Sequence, residues 1–353
     1  MILVHQNLYI GVTNYHDVRK RLKIILILFL GLFAGNSLVA LSQAVDTLFA
    51  SIGITGDGND VTTQTEAGFV LAGGGKDQDA AMRWMIARSG GGDFVIIRSS
   101  GSTGYNDYLY EMGGLNSVET LMIDSREKAM RKEVGKRIRE AEALFIAGGD
   151  QWNYVNYWKD SEVSAAIKFL IEEKKIPIGG TSAGCAVLSN HIFDAQHDTA
   201  ISKDALANPY TKTVSVSKSF IQLPFLENTI ADQHYSQRER QGRHVVFMAR
   251  MAKDFKIKYP KGVGVDERTA VCIDKNGNAL VIGEGAAHFL FSNGSADVCE
   301  PDKPLQWKKN SIRDYIFQGS EAGTSAFNLK KWPKTKPNEY WLVIDGVLQR
   351  NKN

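Results

Sequence analysis

The sequence predicts an α/β protein: a three-layer sandwich around a mostly parallel central sheet, with a nucleophile elbow at the C-terminal end of one strand and a β-hairpin and extension at the C-terminus. Three observations point there. Short runs that are apolar throughout alternate with helical patterns, as strands covered on both faces require. Three of those runs end in glycine turns, at 73–75, 148–149 and 179–180, and ligands of parallel sheets bind beyond such strand ends. The stretch IPIGGTSAG at 176–184 sets a serine, Ser182, between glycines, where a strand stops and a helix starts.

Residues 1–44 stand apart. Arg19, Lys20, Arg21 and Lys23 form a basic cluster, followed by the apolar run IILILFLGLFA at 24–34 and by small residues at Ser42 and Ala44. This is the pattern of a signal peptide cleaved after Ala44. Asn36 and Ser37 stop the apolar run short of the roughly 20 residues that span a bilayer. A secreted or periplasmic protein without stable membrane association is therefore expected. Four of the 42 basic and one of the 39 acidic residues lie in this segment, leaving 38 of each in the mature chain. So balanced a charge offers no general field for nucleic acid or an anionic surface. Residues 45–66 read as a linker, 67–296 as the main domain, and 297–353 as a C-terminal extension packed on that domain.

Along the main domain, GFVLAGGG at 68–75 reads as a strand and glycine turn, and residues 77–90 carry helical periodicity through Ala81, Met82, Trp84, Met85 and Ile86. FVIIRSS at 94–100 and SVETLMID at 117–124 are strand-like, and 126–141 reads as an amphipathic helix. ALFIAGGD at 143–150 is another strand and turn. A helix capped by Ser161 follows, and IPIGGTS closes the series. Beyond Val263, GVGVDERTAVCID and ALVIGEGAAHFLF, joined by KNGN, read as a β-hairpin with an Asn-Gly turn.

GTSAG at 180–184 has the Gly-x-Ser-x-Gly form of a nucleophile elbow. A sharp turn lifts the Ser182 hydroxyl out of the backbone, and the Ala183 N–H opening the next helix is aimed at the same space, suited to an oxyanion. Alternatively, the stretch is a glycine-rich turn that only packs or binds an anion. DQHYSQRERQGR at 232–243 favours the reactive reading. It follows the apolar run FLENTIA, so His234 falls at a strand end, where it can take the serine proton. Arg238, four residues on, would sit one helical turn from His234 and clamp a carboxylate; the plainer alternative is a solvated helix face. Cys185 reads as buried packing. Cys185, Cys272 and Cys299 make no disulfide framework. No metal-ligand spacing is present, so no metal or cofactor is expected.

Together and in this order, FIAGGDQ at 145–151, GGTSAG at 179–184, DQHYSQRERQGR at 232–243 and GVGVDERTA at 262–270 resemble the cyanophycinase and peptidase E-like serine hydrolases, over about residues 68–291. The resemblance implies Ser182 as nucleophile, His234 as base, and Gly149 and Ala183 as oxyanion donors. It further implies a pocket lined by Gln151, Asp232, Gln233, Arg238, Arg240 and Arg243. The family places a carboxylate between serine and histidine, where this chain is longer and offers Asp194, Asp198, Asp204 and Glu227. ISKDALANP at 201–209 best resembles the acidic segment, which makes Asp204 the expected third member and Asp198 the reserve. The implied activity is that of an exported exopeptidase. Its substrate is cyanophycin, an aspartate-backbone polymer with arginine on each side-chain carboxyl, and its products are β-aspartyl-arginine dipeptides. A homodimer is implied as well. Two other readings stay open: an aspartyl dipeptidase of the same superfamily, and a non-catalytic binding protein with this fold.

Overall fold

The computed structural model describes residues 50–352. The first half of the chain alternates strands and helices. The strands are β1 (Ser51–Gly56), β2 (Gly68–Ala72), β3 (Asp93–Arg98), β4 (Ser117–Met122), β5 (Ala143–Ile146) and β6 (Pro177–Thr181). Between them lie α1 (Asp79–Ser89), α2 (Gly104–Tyr110), α3 (Arg126–Ala129), α4 (Lys132–Glu140), α5 (Gln151–Trp158) and α6 (Glu162–Phe169). Five of the strands run parallel in the order β4-β3-β5-β6-β2. β2, β5 and β6 are buried at every position, the physical basis of their unbroken apolar runs. Alternate residues serve opposite layers: Phe94 and Ile96 pack with Met82, Met85 and Leu109, whereas Val95 and Ile97 pack with Ile138, Trp158 and Val163. The expected mixed α/β architecture is thus present.

Local signals hold as well. Ser161 caps α6 by a reciprocal exchange with Ser164, whose amide it accepts at 3.4 Å and whose hydroxyl accepts the Ser161 amide at 2.9 Å. The long helix expected at 126–141 is two, because Arg131 between them is extended (ψ 131°). Residues 45–66, read as a linker, contain β1, which pairs antiparallel with β4 along one sheet edge. Its pattern is inverted: Ile52 and Ile54 face solvent while Gly53 turns inward against Thr103, so no apolar alternation announces the strand.

The larger difference is that the strands of the described residues form two sheets. From residue 183 onward come α7 (Ala183–Val187), β7 (His191–Phe193), α8 (Ser202–Ala207), β8 (Val216–Lys218), β9 (Thr229–Gln233), α9 (Gln241–Asp254) and β10 (Lys261–Val265). They are followed by β11 (Thr269–Asp274), β12 (Asn278–Gly283), β13 (Ala286–Ser292), β14 (Trp307–Gln318), β15 (Thr324–Asn328), β16 (Glu339–Ile344) and β17 (Val347–Lys352). β11, β12 and β15 extend the first sheet to nine strands; the second has the order β17-β16-β14-β13-β10-β9-β7-β8. The expected hairpin turns between Asp274 and Asn278, and each arm changes sheet midway. β11 and β12 pair in the first sheet, and β10 and β13 pair in the second. The crossing points are residues 266–268 and 284–285, and the first carries a functional side chain.

The signal-peptide segment lies outside the described residues; among those, no helix is long and apolar enough to cross a membrane. The C-terminal residues read as an extension supply β14, β16 and β17 to the second sheet. There Trp307, Ile312, Trp341 and Val343 share a core with Val246 and Phe247 of α9. Trp341 is fully buried. Trp341→Ala should therefore cost about 3–5 kcal/mol of stability, read as a lowered denaturant midpoint. An unmoved midpoint would mean that 297–353 contributes nothing to the core.

Candidate active site

Ser182 follows β6 with φ 53° and ψ −117°, a left-handed conformation that costs a non-glycine residue of order 1–3 kcal/mol. The flanking glycines are needed for contact. A Cβ on Gly180 would stand 2.6 Å from the Gly184 backbone, and one on Gly184 would stand 2.0 Å from the Ile146 carbonyl oxygen. The turn holds the Ser182 hydroxyl 2.8 Å from His234 Nε2.

His234 comes from the second sheet, just past the end of β9. Its Nδ1 is 2.6 Å from Glu267 Oε1. A carboxylate only accepts, so Nδ1–H donates to Glu267 and Nε2 is left to accept the serine hydroxyl. Three consecutive carbonyls at the end of β2 hold the site together. Ala72 O accepts the Ser182 amide (3.1 Å), Gly73 O the His234 amide (2.7 Å) and Gly74 O the Arg268 amide, next to Glu267 (2.9 Å). Only glycine fits there: a Cβ on Gly73 would lie 1.9 Å from the Asp266 carbonyl oxygen, and one on Gly74 would lie 2.4 Å from the His234 ring.

Glu267 sits where the hairpin arm crosses between sheets. Its amide donates to Gln237 Oε1 (2.9 Å), and its neighbour Asp266 accepts the amides of Ser236 (2.8 Å) and Ala286 (3.0 Å). Asp204, expected in this role, is not at the histidine: it is exposed in the first turn of α8. Asp194 is occupied by the hydroxyls of Ser215 and Ser217, and Asp198 accepts the Thr199 amide at 2.6 Å. The carboxylate at His234 Nδ1 therefore follows the histidine in the chain instead of preceding it. The charged triplet Asp266-Glu267-Arg268, interrupting an otherwise apolar strand reading, is the sequence signal that marks the crossing.

A cavity of about 280 Å³ opens at Ser182, with Gly149, Gln151, Gln233, His234, Arg238, Arg240 and Arg243 in its walls. Gly148 backs Ser182, and Gln151 opens α5 with its amide donating to the Phe193 carbonyl (3.3 Å). Ala183 follows Ser182 directly and is buried. Asp232, expected as a pocket residue, lies behind the cavity. Arg243 Nε and Nη2 hold its two oxygens at 2.8 and 2.6 Å, and both residues are buried. Burial opposes the Asp232 charge, but Arg243 and Arg240 outweigh it and keep the carboxyl below its ordinary range. Arg240 Nη1 donates to the Gln233 carbonyl at 2.7 Å and to Asp232 Oδ1 at 3.5 Å. Burial lowers its pKa to about 10, and the neighbouring Arg243 and Arg238 act in the same direction. Arg238 is half-exposed, with Nε 4.0 Å from Glu267 Oε1. It stands one turn along from His234, as expected, its amide donating to the His234 carbonyl (3.1 Å), although the regular helix α9 begins only at Gln241. Cys185 is fully buried, and burial pushes its thiol well above the ordinary value.

Burial is also the main cause lowering the His234 pKa; Arg238 and Arg240 add to it, while Glu267 opposes. At neutral pH the imidazole is thus uncharged, the form that accepts a proton. A hydroxyl, a neutral imidazole and an orienting carboxylate in line can perform nucleophilic acyl transfer.

A family model described as Peptidase family S51 matches residues 103–281. Among curated proteins the chain is similar to a cyanophycinase of Trichormus variabilis, 25% identical over 193 residues, covering 55% of this chain and 59% of that protein. It is also similar to a cyanophycinase of Synechococcus elongatus, 27% identical over 235 residues, covering 63% of this chain and 68% of that one. The chain thus spans 59% of the length of the first of these relatives. Among solved structures, a peptidase from an acI-B1 Actinobacterium covers 75% of this chain and 98% of its own, at 16% identity and a TM-score of 0.47.

The geometry separates the two acids. Glu267→Gln should lower turnover by roughly 10³–10⁴, by analogy with loss of the orienting acid in a known triad, and Asp204→Asn should be near parental; the reverse ranking in steady-state assays would return the role to Asp204. On a small ester, the acid limb of kcat/KM should fall below the ordinary imidazole value of about 6.5. Arg238→Ala removes a cation that disfavours imidazolium, so its limb should move to higher pH.

Proposed function

Since this chain belongs to peptidase family S51, we propose that it is an exported serine peptidase that hydrolyses cyanophycin to β-aspartyl-arginine dipeptides. The observation that carries the reading is the line Ser182 Oγ–His234 Nε2–Glu267 Oε1, at 2.8 and 2.6 Å. Ser182 Oγ attacks the scissile carbonyl carbon as its proton passes to His234 Nε2. Glu267 stabilises the imidazolium that forms, and the amides of Gly149 and Ala183 receive the oxyanion. His234 returns the proton to the leaving amine, which breaks the C–N bond. Water then enters by the same route and frees Ser182. Arg238 and Arg240 supply cations for substrate carboxylates, and Gln151 and Gln233 supply polar contacts. The similarity to cyanophycinases supports this substrate over other peptides. Export rests on the signal-peptide pattern of residues 1–44, and a homodimer is the proposed assembly, which light scattering would measure.

The test is to incubate the mature protein with cyanophycin and identify the products by mass. Release of β-aspartyl-arginine is expected, and Ser182→Ala should reduce it by on the order of 10⁶, as nucleophile loss does in a known triad. Cleavage of short α-aspartyl peptides with cyanophycin left intact would instead indicate an aspartyl dipeptidase. Failure of a fluorophosphonate to label Ser182 would indicate a binding protein. The exported chain should begin near Val45, as N-terminal sequencing would read; full-length chain in the membrane fraction would contradict cleavage.

A further inference from the structure

A second cavity, about 390 Å³, adjoins the one at Ser182. One wall is residues 199–203; the other is residues 238–240 with Arg243. The two cavities share Thr199, Arg238, Arg240 and Arg243. The walls are joined firmly. Ser202 Oγ donates to the Glu239 carbonyl (2.6 Å) and accepts the Arg243 amide (3.1 Å). Arg243 Nη1 reaches Thr199 Oγ1 and the Ala200 carbonyl, both at 3.3 Å. Gly242 closes the contact, since a Cβ there would meet Ser202 and Leu206 at 2.8 Å. The space is therefore preformed.

Its charges are mixed and available. Lys203 and Glu239 are exposed, and among the described residues neither enters an ion pair. Arg240, buried in the shared wall, holds the Gln233 carbonyl at 2.7 Å and Asp232 at 3.5 Å, both through Nη1. Ile201, 58% exposed, adds an apolar surface of the kind that covers the methylene stem of a long cationic side chain. We propose that this cavity is a second substrate subsite, holding the arginine-bearing unit next to the one cleaved at Ser182. Lys203 and Arg240 face that unit's free carboxylate, Ile201 its methylenes, and Glu239 its guanidinium. One unit of the polymer carries all three features together, and a purely acidic peptide would leave Glu239 opposed. The subsite rests on the substrate reading given above, which it extends from one unit to two or more.

The experiment compares two substrates on the full mature enzyme. One is a single unit, aspartate with arginine on its side-chain carboxyl and a 4-nitroanilide on its backbone carboxyl; the other is a trimer of the natural unit. Lys203→Gln and Glu239→Gln keep shape and remove charge at exposed positions. Each should lower the ratio of kcat/KM for trimer over anilide by roughly two- to fivefold, the range of a solvent-exposed charge interaction. The drop should shrink at high salt. A ratio unmoved in both variants, with both substrates cleaved by the parent, overturns the subsite alone. A parent that reacts with fluorophosphonate yet cleaves neither substrate overturns the cyanophycin reading, and the subsite with it.

Discussion

Three successive carbonyls, those of Ala72, Gly73 and Gly74, are the joint on which the candidate site depends. They accept the amides of Ser182, His234 and Arg268 in turn. These residues come from the turn after β6 of the first sheet, the end of a strand in the second, and the arm of a hairpin passing between the two. Ser182, His234 and, through Arg268, its neighbour Glu267 are thus registered against one short piece of backbone. Their positive φ angles at Ser182 and His234 persist because packing and hydrogen bonding on every side leave the backbone no relaxed alternative. Any side chain at Gly73 or Gly74 would enter the space of Asp266 or His234, so the precision of the site is a consequence of removing two Cβ atoms.

Electrostatics around that joint is arranged in depth. Asp232 and Arg243 form a buried, two-pronged pair, whose worth is conditional: breaking one partner leaves an uncompensated buried charge. Arg243 spends its remaining donor capacity on the backbone and hydroxyl of residues 199–200, which ties the wall of both cavities to the second sheet. With Asp232 committed to Arg243, Arg240 and Arg238 leave a surplus of positive charge beside His234. The surplus favours a neutral imidazole, and it also offers an anionic group of a substrate a counter-charge in a partly dehydrated cavity, where such contacts are strong.

What the sequence determined by itself was whatever depends on neighbours along the chain. Apolar runs marked the parallel strands, Ser161 marked its helix start, and Gly-x-Ser-x-Gly marked a sharp turn between strand and helix. Ser182 and the strand-end position of His234 followed from these. Tertiary structure alone decided what depends on residues far apart in sequence. The edge strand β1 stayed hidden because its large side chains face water and its glycine faces the protein. The two-sheet architecture stayed hidden because each arm of the 262–291 hairpin is apolar on both sides of its crossing, and composition does not record which sheet a strand joins. The acid stayed hidden for the same reason. Chain order directed attention to Asp204, but the distance from His234 Nδ1 is settled by where the hairpin crosses, and that crossing brings Glu267, 33 residues past the histidine, to 2.6 Å. Likewise, Asp232 looks like a pocket residue in a row of charges, and only its 2.6 Å contact with Arg243 turns it into the support behind a wall that Arg243 lines.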